Sequence, residues 1–269
     1  MQIGIYALGL IGGSLLKALQ GHELVAVTRN PETLEAAKEY AQVVSDDINA
    51  LKDCGIIFVC TPMSKTLQVL DELENVASYR TIVADVASVK EFVIKKVRPY
   101  TLIGTHPMAG TENTGFEHSF KDLFKGAKWI LTPPKGTSQK DIDLLKVIIE
   151  STGAKTHIMD AKEHDKAVAL ISHMPLLLSQ ALMDCVMLEK NALALASSGF
   201  RDMTRLSMTN TELANDMVKM NLDNIVRALK LLNKSLADNF NDSYIGRITE
   251  LAAFRRTMYD EDGNNTFNL

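Results

Sequence analysis

A glycine turn at residues 7–12 constrains the fold of this chain more than any other feature. The turn, Ala7-Leu8-Gly9-Leu10-Ile11-Gly12, follows the apolar run Gln2–Tyr6 and precedes a segment with apolar residues at helical spacing. A buried strand that enters a helix through a tight glycine turn is typical of the first unit of an open α/β sheet. We therefore expect a strand, a turn and a helix here.

The first 159 residues continue this alternation of apolar runs and helix-like segments, which is typical of a parallel sheet covered on both faces. The expected strands are Gln2–Tyr6, Glu23–Thr28, Gly55–Cys60, Thr81–Asp85, Leu102–Thr105, Lys128–Thr132 and Lys155–Met159. The expected helices are Leu10–Gln20, Pro31–Tyr40, Met63–Val76, Val89–Val97 and Ser138–Ser151. We predict a Rossmann-type, doubly wound α/β domain over residues 1–159.

From Asp160 onward the pattern is almost entirely helical, and we predict an all-α domain over residues 160–269. The expected helices are Ala161–Glu189, Ala192–Ser197, Thr211–Asn239 and Asp242–Tyr259, with Asp160 and Ser243 as N-caps. Long helices rich in Leu and Met cannot bury their apolar faces within so small a bundle. We expect a homodimer that pairs these domains; the alternative is a monomeric bundle.

Charge and composition exclude several classes of function. The net charge is −4 and no cluster of Lys and Arg suits a nucleic acid. No stretch approaches the roughly 20 apolar residues that span a bilayer, and the first strand leaves no room for a targeting peptide. Cys54, Cys60 and Cys185 lack a ligand spacing, so we expect neither metal nor disulfide. A cytoplasmic protein is expected.

The glycine turn itself predicts a dinucleotide site formed by Ala7, Gly9, Leu10, Ile11 and Gly12. Gly9 lets the backbone approach a pyrophosphate at the helix N-terminus, and Gly12 lets the helix pack closely on the strand. Ala7 replaces the glycine that usually makes the tight turn, and its methyl group is tolerated if its φ angle stays negative. The alternative is a glycine turn without a ligand.

The end of the second strand favours NADP, with NAD possible. An acidic residue here usually binds the ribose 2′-hydroxyl of NAD, but this chain has Thr28 and Arg29, which suit a 2′-phosphate. Alternatively, Arg29 is a solvated charge and either cofactor is used. Thr61 and Pro62, after another strand, are expected to line the ribose or nicotinamide pocket.

Four further motifs carry polar chemistry. Two follow strands, Asp85-Val86-Ala87-Ser88-Val89-Lys90 and Thr105-His106-Pro107-Met108-Ala109-Gly110-Thr111-Glu112, and so should face the same crevice as the glycine turn. Two lie in the helical half, Ile171-Ser172-His173-Met174-Pro175 and Ala196-Ser197-Ser198-Gly199-Phe200-Arg201-Asp202-Met203-Thr204-Arg205. A hydroxyl and an imidazole beside a hydride acceptor suit the oxidation of an alcohol.

Together these motifs resemble, over nearly the whole chain, the prephenate/arogenate dehydrogenase family of tyrosine biosynthesis, and most of all its NADP-using arogenate dehydrogenases. The resemblance implies oxidative decarboxylation of a cyclohexadienol and a dimer held by the helical domains. It implies that His106 takes the ring hydroxyl proton, that Ser88 orients His106 and the nicotinamide, and that Arg205 binds a substrate carboxylate. The structural alternatives are a buried histidine, a helix cap and an interface ion pair, respectively.

The histidines of the helical half are assigned less directly. His164 and His173 are nine residues apart and fall on opposite faces of a straight helix, so both reach one pocket only if the helix bends. We place Ser172 and His173 near the substrate, with Thr111 and Glu112, and His164 with Asp165 at an interface or behind the site.

Two positions favour arogenate over prephenate. Leu176 stands where many prephenate-using members carry a histidine, and Glu112 would pair with the ammonium of arogenate and repel the side-chain carboxylate of prephenate. We predict arogenate with NADP, giving L-tyrosine. The alternatives are prephenate, giving 4-hydroxyphenylpyruvate, or use of both substrates.

Two other classes remain open. A β-hydroxyacid dehydrogenase would need a catalytic Lys followed by Asn, which Lys219-Met220-Asn221 imitates, although we interpret Lys219 as a surface residue. A non-catalytic, dinucleotide-sensing dimer would have lost Ser88, His106 and Arg205, and all three are present.

Overall fold

The computed structural model describes residues 1–111, 113–239, 244–260 and 265–267. Its strands are β1 Gln2–Tyr6, β2 Glu23–Val27, β3 Val43–Ser45, β4 Ile56–Val59, β5 Ile82–Asp85, β6 Thr101–Pro107, β7 Lys128–Thr132 and β8 Lys155–Ile158. Its α-helices are α1 Leu10–Ala18, α2 Pro31–Ala37, α3 Met63–Glu72, α4 Glu91–Ile94, α5 Gln139–Glu150, α6 Ala161–Val168, α7 Met174–Met187, α8 Lys190–Ala194, α9 Ser198–Thr204, α10 Thr211–Met220, α11 Leu222–Asn239 and α12 Tyr244–Thr257.

All eight strands form one sheet in the order β3-β2-β1-β4-β5-β6-β7-β8. The first six are parallel and have the order of a doubly wound dinucleotide-binding sheet. The direction of winding reverses between β1 and β4, which opens a crevice at the carboxyl ends of these strands. The predicted fold class, a Rossmann-type sheet followed by a helical half, is confirmed.

The sheet differs from the prediction in two elements. Strand β3 was not expected, because its three residues are too few to form a recognisable apolar run. Strand β7 runs antiparallel to β6, so β7 and β8 are opposite in direction to the other six strands. A strand buried on both faces is apolar throughout whichever way it runs, so the sequence does not indicate its direction.

Helices cover both faces of the sheet. On one face α1 and α5 pack on Ile5, Phe58 and Trp129, all fully buried. On the other face α3 and α4 are joined by residues of the helical half, Leu176 and Met217 among them. The helical half therefore packs on the sheet as part of its second apolar layer.

The long helix expected from residue 161 is interrupted by a π-helical turn, Ala169–His173, between α6 and α7. Its start is as predicted, since Asp160 accepts hydrogen bonds from the backbone N–H groups of Lys162 and Glu163 at 2.9 and 3.2 Å. In place of the expected helix Ala192–Ser197 the chain has α8, Lys190–Ala194. The expected helix Thr211–Asn239 divides at Asn221, and α9 was not expected. Ser243 lies outside the described residues, and the boundary at residue 159/160 stays a prediction.

The segment Ala161–Met187 is the one described helix long and apolar enough to cross a membrane, with a mean hydropathy of 1.3 over its most apolar 18 residues. It meets this criterion by length and composition only. Its polar residues His164, Asp165 and His173 are buried.

Candidate active site

The glycine turn has the form that a diphosphate requires. Gly9 is the N-cap of α1 and no side chain caps this helix, so helix geometry leaves the N–H groups of Leu10, Ile11 and Gly12 without internal acceptors. A Cβ atom on Gly12 would lie 2.1 Å from the carbonyl oxygen of Ala7, whereas one on Gly9 would meet nothing within 4 Å. The close packing at Gly12 and the open face at Gly9 fit a dinucleotide.

Ala7 adopts a conformation that we expected it to avoid. Its φ angle is +70°, in the left-handed region, and its N–H donates to Val27 O at 2.8 Å. This backbone hydrogen bond and the contact of its carbonyl with Gly12 fix the turn. The turn therefore retains its glycine-type geometry with alanine, at a cost of roughly 1–2 kcal/mol.

A cleft of about 710 Å³ extends from this turn along the ends of β1 and β2. Thr28 is buried at its edge, while the Arg29 side chain is 70 % exposed and lies 3.7 Å from the Glu72 carboxylate. Glu32 and Glu117 also line the cleft. The cleft thus offers an adenosine ribose one cation and a buried hydroxyl beside carboxylates.

Thr61 and Pro62 lie between β4 and the first turn of α3, at the same edge of the sheet. The Thr61 hydroxyl is 3.3 Å from that of Thr66. Their contact with a cofactor stays a prediction.

His106 lies at the end of β6, and its ring begins a hydrogen-bonded series that continues through two side chains of the helical half. Its Nδ1 is 2.9 Å from Nε2 of His164, and Nδ1 of His164 is 2.8 Å from Oδ1 of Asp165. The backbone N–H groups of Lys90 and Glu91 donate to the same carboxylate, each at 2.8 Å. Asp165 therefore connects helix α6 to the backbone at the start of α4.

These contacts assign the protons of both rings. The Asp165 carboxylate only accepts, so His164 carries its proton on Nδ1 and accepts on Nε2. His106 must then donate from Nδ1, which leaves the lone pair on its Nε2. Burial lowers the pKa of His106 well below its usual 6.5, and His164, Lys90 and His173 lower it further. His106 is consequently a neutral acceptor at neutral pH.

A buried ion pair that we did not predict from the sequence holds the strands that carry this site. The Lys90 side chain is fully buried, pairs with Asp85 and donates to Thr105 O at 2.6 Å. Asp85 also accepts from the Ala87 and Thr105 N–H groups at 2.9 and 3.2 Å. Burial lowers the pKa of Lys90 and Asp85 opposes the shift. The pair ties the end of β5, which leads to Ser88, to the strand carrying His106.

His164 and His173 are both buried, and the π-helical turn Ala169–His173 breaks the regular phase of the helix that separates them. His164 is in contact with His106, although we had placed it at an interface or behind the site. His173 is 1 % exposed, and its Nδ1 lies 3.1 Å from Nδ2 of Asn221. Burial lowers the pKa of His173 to about 4. Ser172 is half-buried.

Two other predicted site residues, Ser88 and Arg205, form no hydrogen bond to this series among the described residues. The Ser88 hydroxyl donates to Met63 Sδ at 3.2 Å, and it is His164, not Ser88, that contacts the His106 ring. Arg205 is exposed in a 3₁₀ turn, Arg205–Met208, and forms no ion pair with any described residue.

Three further predicted residues lie in the loop after β6 and at the start of α7. Thr111 is exposed, and its Oγ1 accepts from Asn113 N at 3.2 Å. Glu112 lies outside the described residues. Leu176, by contrast, is buried in the apolar layer beneath the site.

Comparison with known proteins identifies the family. Residues 11–158 match the model of the prephenate dehydrogenase nucleotide-binding domain, and residues 160–243 match that of the prephenate dehydrogenase dimerization domain. The chain is 29 % identical to prephenate dehydrogenase of Bacillus subtilis, over 97 % of this chain and 71 % of that protein. It is 28 % identical to cyclohexadienyl dehydrogenase of Zymomonas mobilis, over 92 % of each.

Solved structures agree with these family matches. Arogenate dehydrogenase of Synechocystis superposes with a TM-score of 0.83 at 34 % identity, covering 95 % of this chain and 99 % of that one. Prephenate dehydrogenase of A. aeolicus, solved with hydroxyphenyl propionate and NAD+, superposes with a TM-score of 0.85 at 26 % identity, covering 95 % and 97 %. A 3-hydroxyisobutyrate dehydrogenase shares the fold alone, at 12 % identity. The chain belongs to the prephenate dehydrogenase family and is an NAD(P)-dependent oxidoreductase.

Proposed function

We propose that this enzyme oxidises arogenate with NADP and releases CO₂ and L-tyrosine, with His106 as the catalytic base. The observation that carries the proposal is the hydrogen-bonded series from Asp165 through His164 to His106. It fixes the His106 ring so that Nε2 holds a lone pair. A neutral imidazole with one oriented acceptor suits removal of a hydroxyl proton.

In the reaction, Nε2 of His106 takes the proton of the ring hydroxyl while hydride leaves the same carbon. The nicotinamide, when bound, supplies the hydride acceptor. The His164 ring and the Asp165 carboxylate stabilise the resulting positive charge on His106 through the existing hydrogen bonds. The ring carboxylate then leaves as CO₂, its electron pair enters the ring, and His106 returns the proton to the new phenol oxygen.

The choice of arogenate is supported by charge and polarity around the site. Glu112, six residues beyond the proposed base in the sequence, matches the ammonium that distinguishes arogenate from prephenate, and Leu176 stands where many prephenate-using members carry a histidine. Arg205, exposed and without a described ion pair, suits the single side-chain carboxylate. The 34 % identity to the Synechocystis arogenate dehydrogenase agrees with this choice.

NADP is favoured because Thr28 and Arg29 follow β2 where an NAD-selective site usually has an acid. Turning the exposed Arg29 away from Glu72 would bring its guanidinium to a 2′-phosphate. Replacing Arg29 with alanine should raise the KM for NADP about tenfold or more and change that for NAD little. An equal change for both cofactors would contradict the assignment.

A homodimer is the proposed assembly, in the cytoplasm. Large apolar side chains are exposed along the helical half of the single chain, including Leu188, Leu195, Leu231, Ile245 and Phe254. A second copy of this face would cover them, and the match to the dimerization domain agrees.

Purified enzyme supplies the direct test of substrate. Initial rates with arogenate and prephenate at saturating NADP should give a clearly higher kcat/KM for arogenate. A preference for prephenate would overturn the substrate assignment without affecting the role of His106.

A further inference from the structure

A buried amide between α10 and α11 takes no part in the chemistry described above. Asn221 is 3 % exposed and ends α10, where its N–H donates to Met217 O at 3.1 Å. In the sequence it attracted notice only through the Lys219-Met220-Asn221 pattern. Lys219 is exposed, whereas Asn221 extends into the interior.

Two hydrogen bonds fix the orientation of this amide. Nδ2 of Asn221 donates to the backbone oxygen of Asp165 at 2.8 Å, and a carbonyl oxygen only accepts. On its other side, Oδ1 of Asn221 accepts from Nδ2 of Asn224 at 2.8 Å. Rotating the amide by half a turn would lose both contacts. The NH₂ group therefore faces Asp165 and His173.

This orientation determines the tautomer of His173. The same NH₂ group lies 3.1 Å from Nδ1 of His173, which must accept from it. The proton of the neutral ring is then on Nε2. That nitrogen is buried and has no hydrogen-bond partner among the described residues. Because buried donors are normally paired, an unpaired Nε2–H near His106 and His164 indicates an acceptor supplied by a ligand.

We propose that Asn221 is a positioning residue for the substrate: it holds His173 as the Nε2–H tautomer, so that His173 donates a hydrogen bond to a substrate carboxylate oxygen. The proposal rests on the proposed function, because it takes the ligand to be the anionic substrate of the same site. A preformed donor of this kind binds an anion and disfavours a molecule without an acceptor there.

The Asn221→Asp variant replaces the NH₂ donor that faces His173 Nδ1 with an acceptor, with little change of side-chain shape. Its carboxylate only accepts, so His173 must donate from Nδ1 and present a lone pair on Nε2. We expect the KM for the substrate to rise roughly 10- to 100-fold, with a smaller change in kcat. Asn215→Asp, at an exposed position on α10, makes the same change of charge and should leave KM unaltered.

A rescue experiment separates the tautomer from the added charge. In Asn221→Asp combined with His173→Gln, the glutamine NH₂ group replaces the lost Nε2–H donor, so KM should return close to that of His173→Gln alone. A KM that stays at the Asn221→Asp value would overturn the proposal.

The tautomer is also measured without turnover. In wild-type enzyme with ¹⁵N-labelled histidine, the ring signals that disappear in His173→Gln should report a protonated Nε2 and a bare Nδ1. A protonated Nδ1 would overturn the proposal whether or not Asn221→Asp folds. Failure of the wild-type enzyme to oxidise either substrate would instead contradict the proposed function and leave this measurement valid.

Discussion

At the scale of single residues, the proposed base, His106, depends on its hydrogen-bonded neighbours as much as on its own chemistry. Replacing His106 with glutamine removes the lone pair that Asp165 and His164 orient. Turnover should fall by about 10²- to 10⁴-fold, while the Kd for NADP stays unchanged. His157→Gln, at a half-buried histidine in β8 remote from this series, is the control. Full turnover in His106→Gln would favour the chemistry of β-hydroxyacid dehydrogenases.

The pH dependence of the reaction follows from the same ring. As the proposed base, His106 can act only when neutral, and burial beside other basic groups holds its pKa well below 6.5. As pH falls, kcat/KM should therefore hold through pH 6.5 and decline only in more acidic solution. A pH profile of kcat/KM at saturating NADP measures this. An acidic limb centred at or above pH 6.5 would contradict the assignment.

Ala7 gives a second prediction at this scale. Glycine adopts a φ of +70° without the strain that alanine has there, so Ala7→Gly should raise the free energy of unfolding by about 1 kcal/mol. Urea unfolding of the ligand-free protein measures the change. Ala36→Gly, in the right-handed helix α2, should lower stability by a similar amount. Equal effects of both substitutions would contradict the strain at Ala7.

At the scale of secondary-structure elements, the segment formed by α6, the π-helical turn and α7 carries a neutral, buried His173. Its pKa is about 4 in the folded protein and near 6.5 when unfolded, so only the unfolded chain takes up the proton between these values. This contribution to stability is complete above pH 6.5 and is lost as pH falls toward 4, by up to about 3 kcal/mol.

Urea unfolding at pH 7 and pH 5 compares the wild-type enzyme with His173→Gln, which has no titrating ring at this position. The loss of stability on acidification should be smaller in the variant. An identical loss in both proteins would show that His173 is not the group that titrates.

Helix α3 depends on a residue from the helical half. The N–H of Ser64, in its first turn, donates to Asp216 Oδ2 at 2.8 Å, and Asp216 is 4 % exposed. Asp216→Ala should lower the free energy of unfolding by about 1–2 kcal/mol, as the loss of a helix cap does. Glu212→Ala, whose exposed carboxylate has only a 3.4 Å contact with the Ser64 hydroxyl, should have little effect. Equal losses would contradict this role.

Elements with strong periodic patterns were predictable, and those set by tertiary contacts were not. The bounds of β1 and β7 match the prediction, and Ser88 and His106 were assigned to the strand ends where they lie. The direction of β7 and the π-helical turn depend on packing, which leaves no periodic signal. For this reason His164 was placed behind the site, although it contacts His106, and Asn221 was not assigned to it.

At the scale of the whole molecule, the exposed apolar residues of the helical half predict a homodimer. Sedimentation velocity should give about twice the chain mass of 29.7 kDa. Leu231→Arg, on the exposed side of α11, should shift the protein toward monomer, whereas Val147→Arg, on α5, should not. A wild-type monomer, or dissociation caused by both substitutions, would contradict the proposed interface.

The most direct test of the central claim is a matrix of kcat/KM values for arogenate and prephenate, each with NADP and NAD. The proposed base His106, an acidic residue that matches the ammonium of arogenate, and an arginine that matches the 2′-phosphate of NADP together predict that arogenate with NADP has the highest value. The highest value for prephenate with NAD would contradict both assignments, and no turnover in any combination would contradict the enzyme's proposed reaction itself.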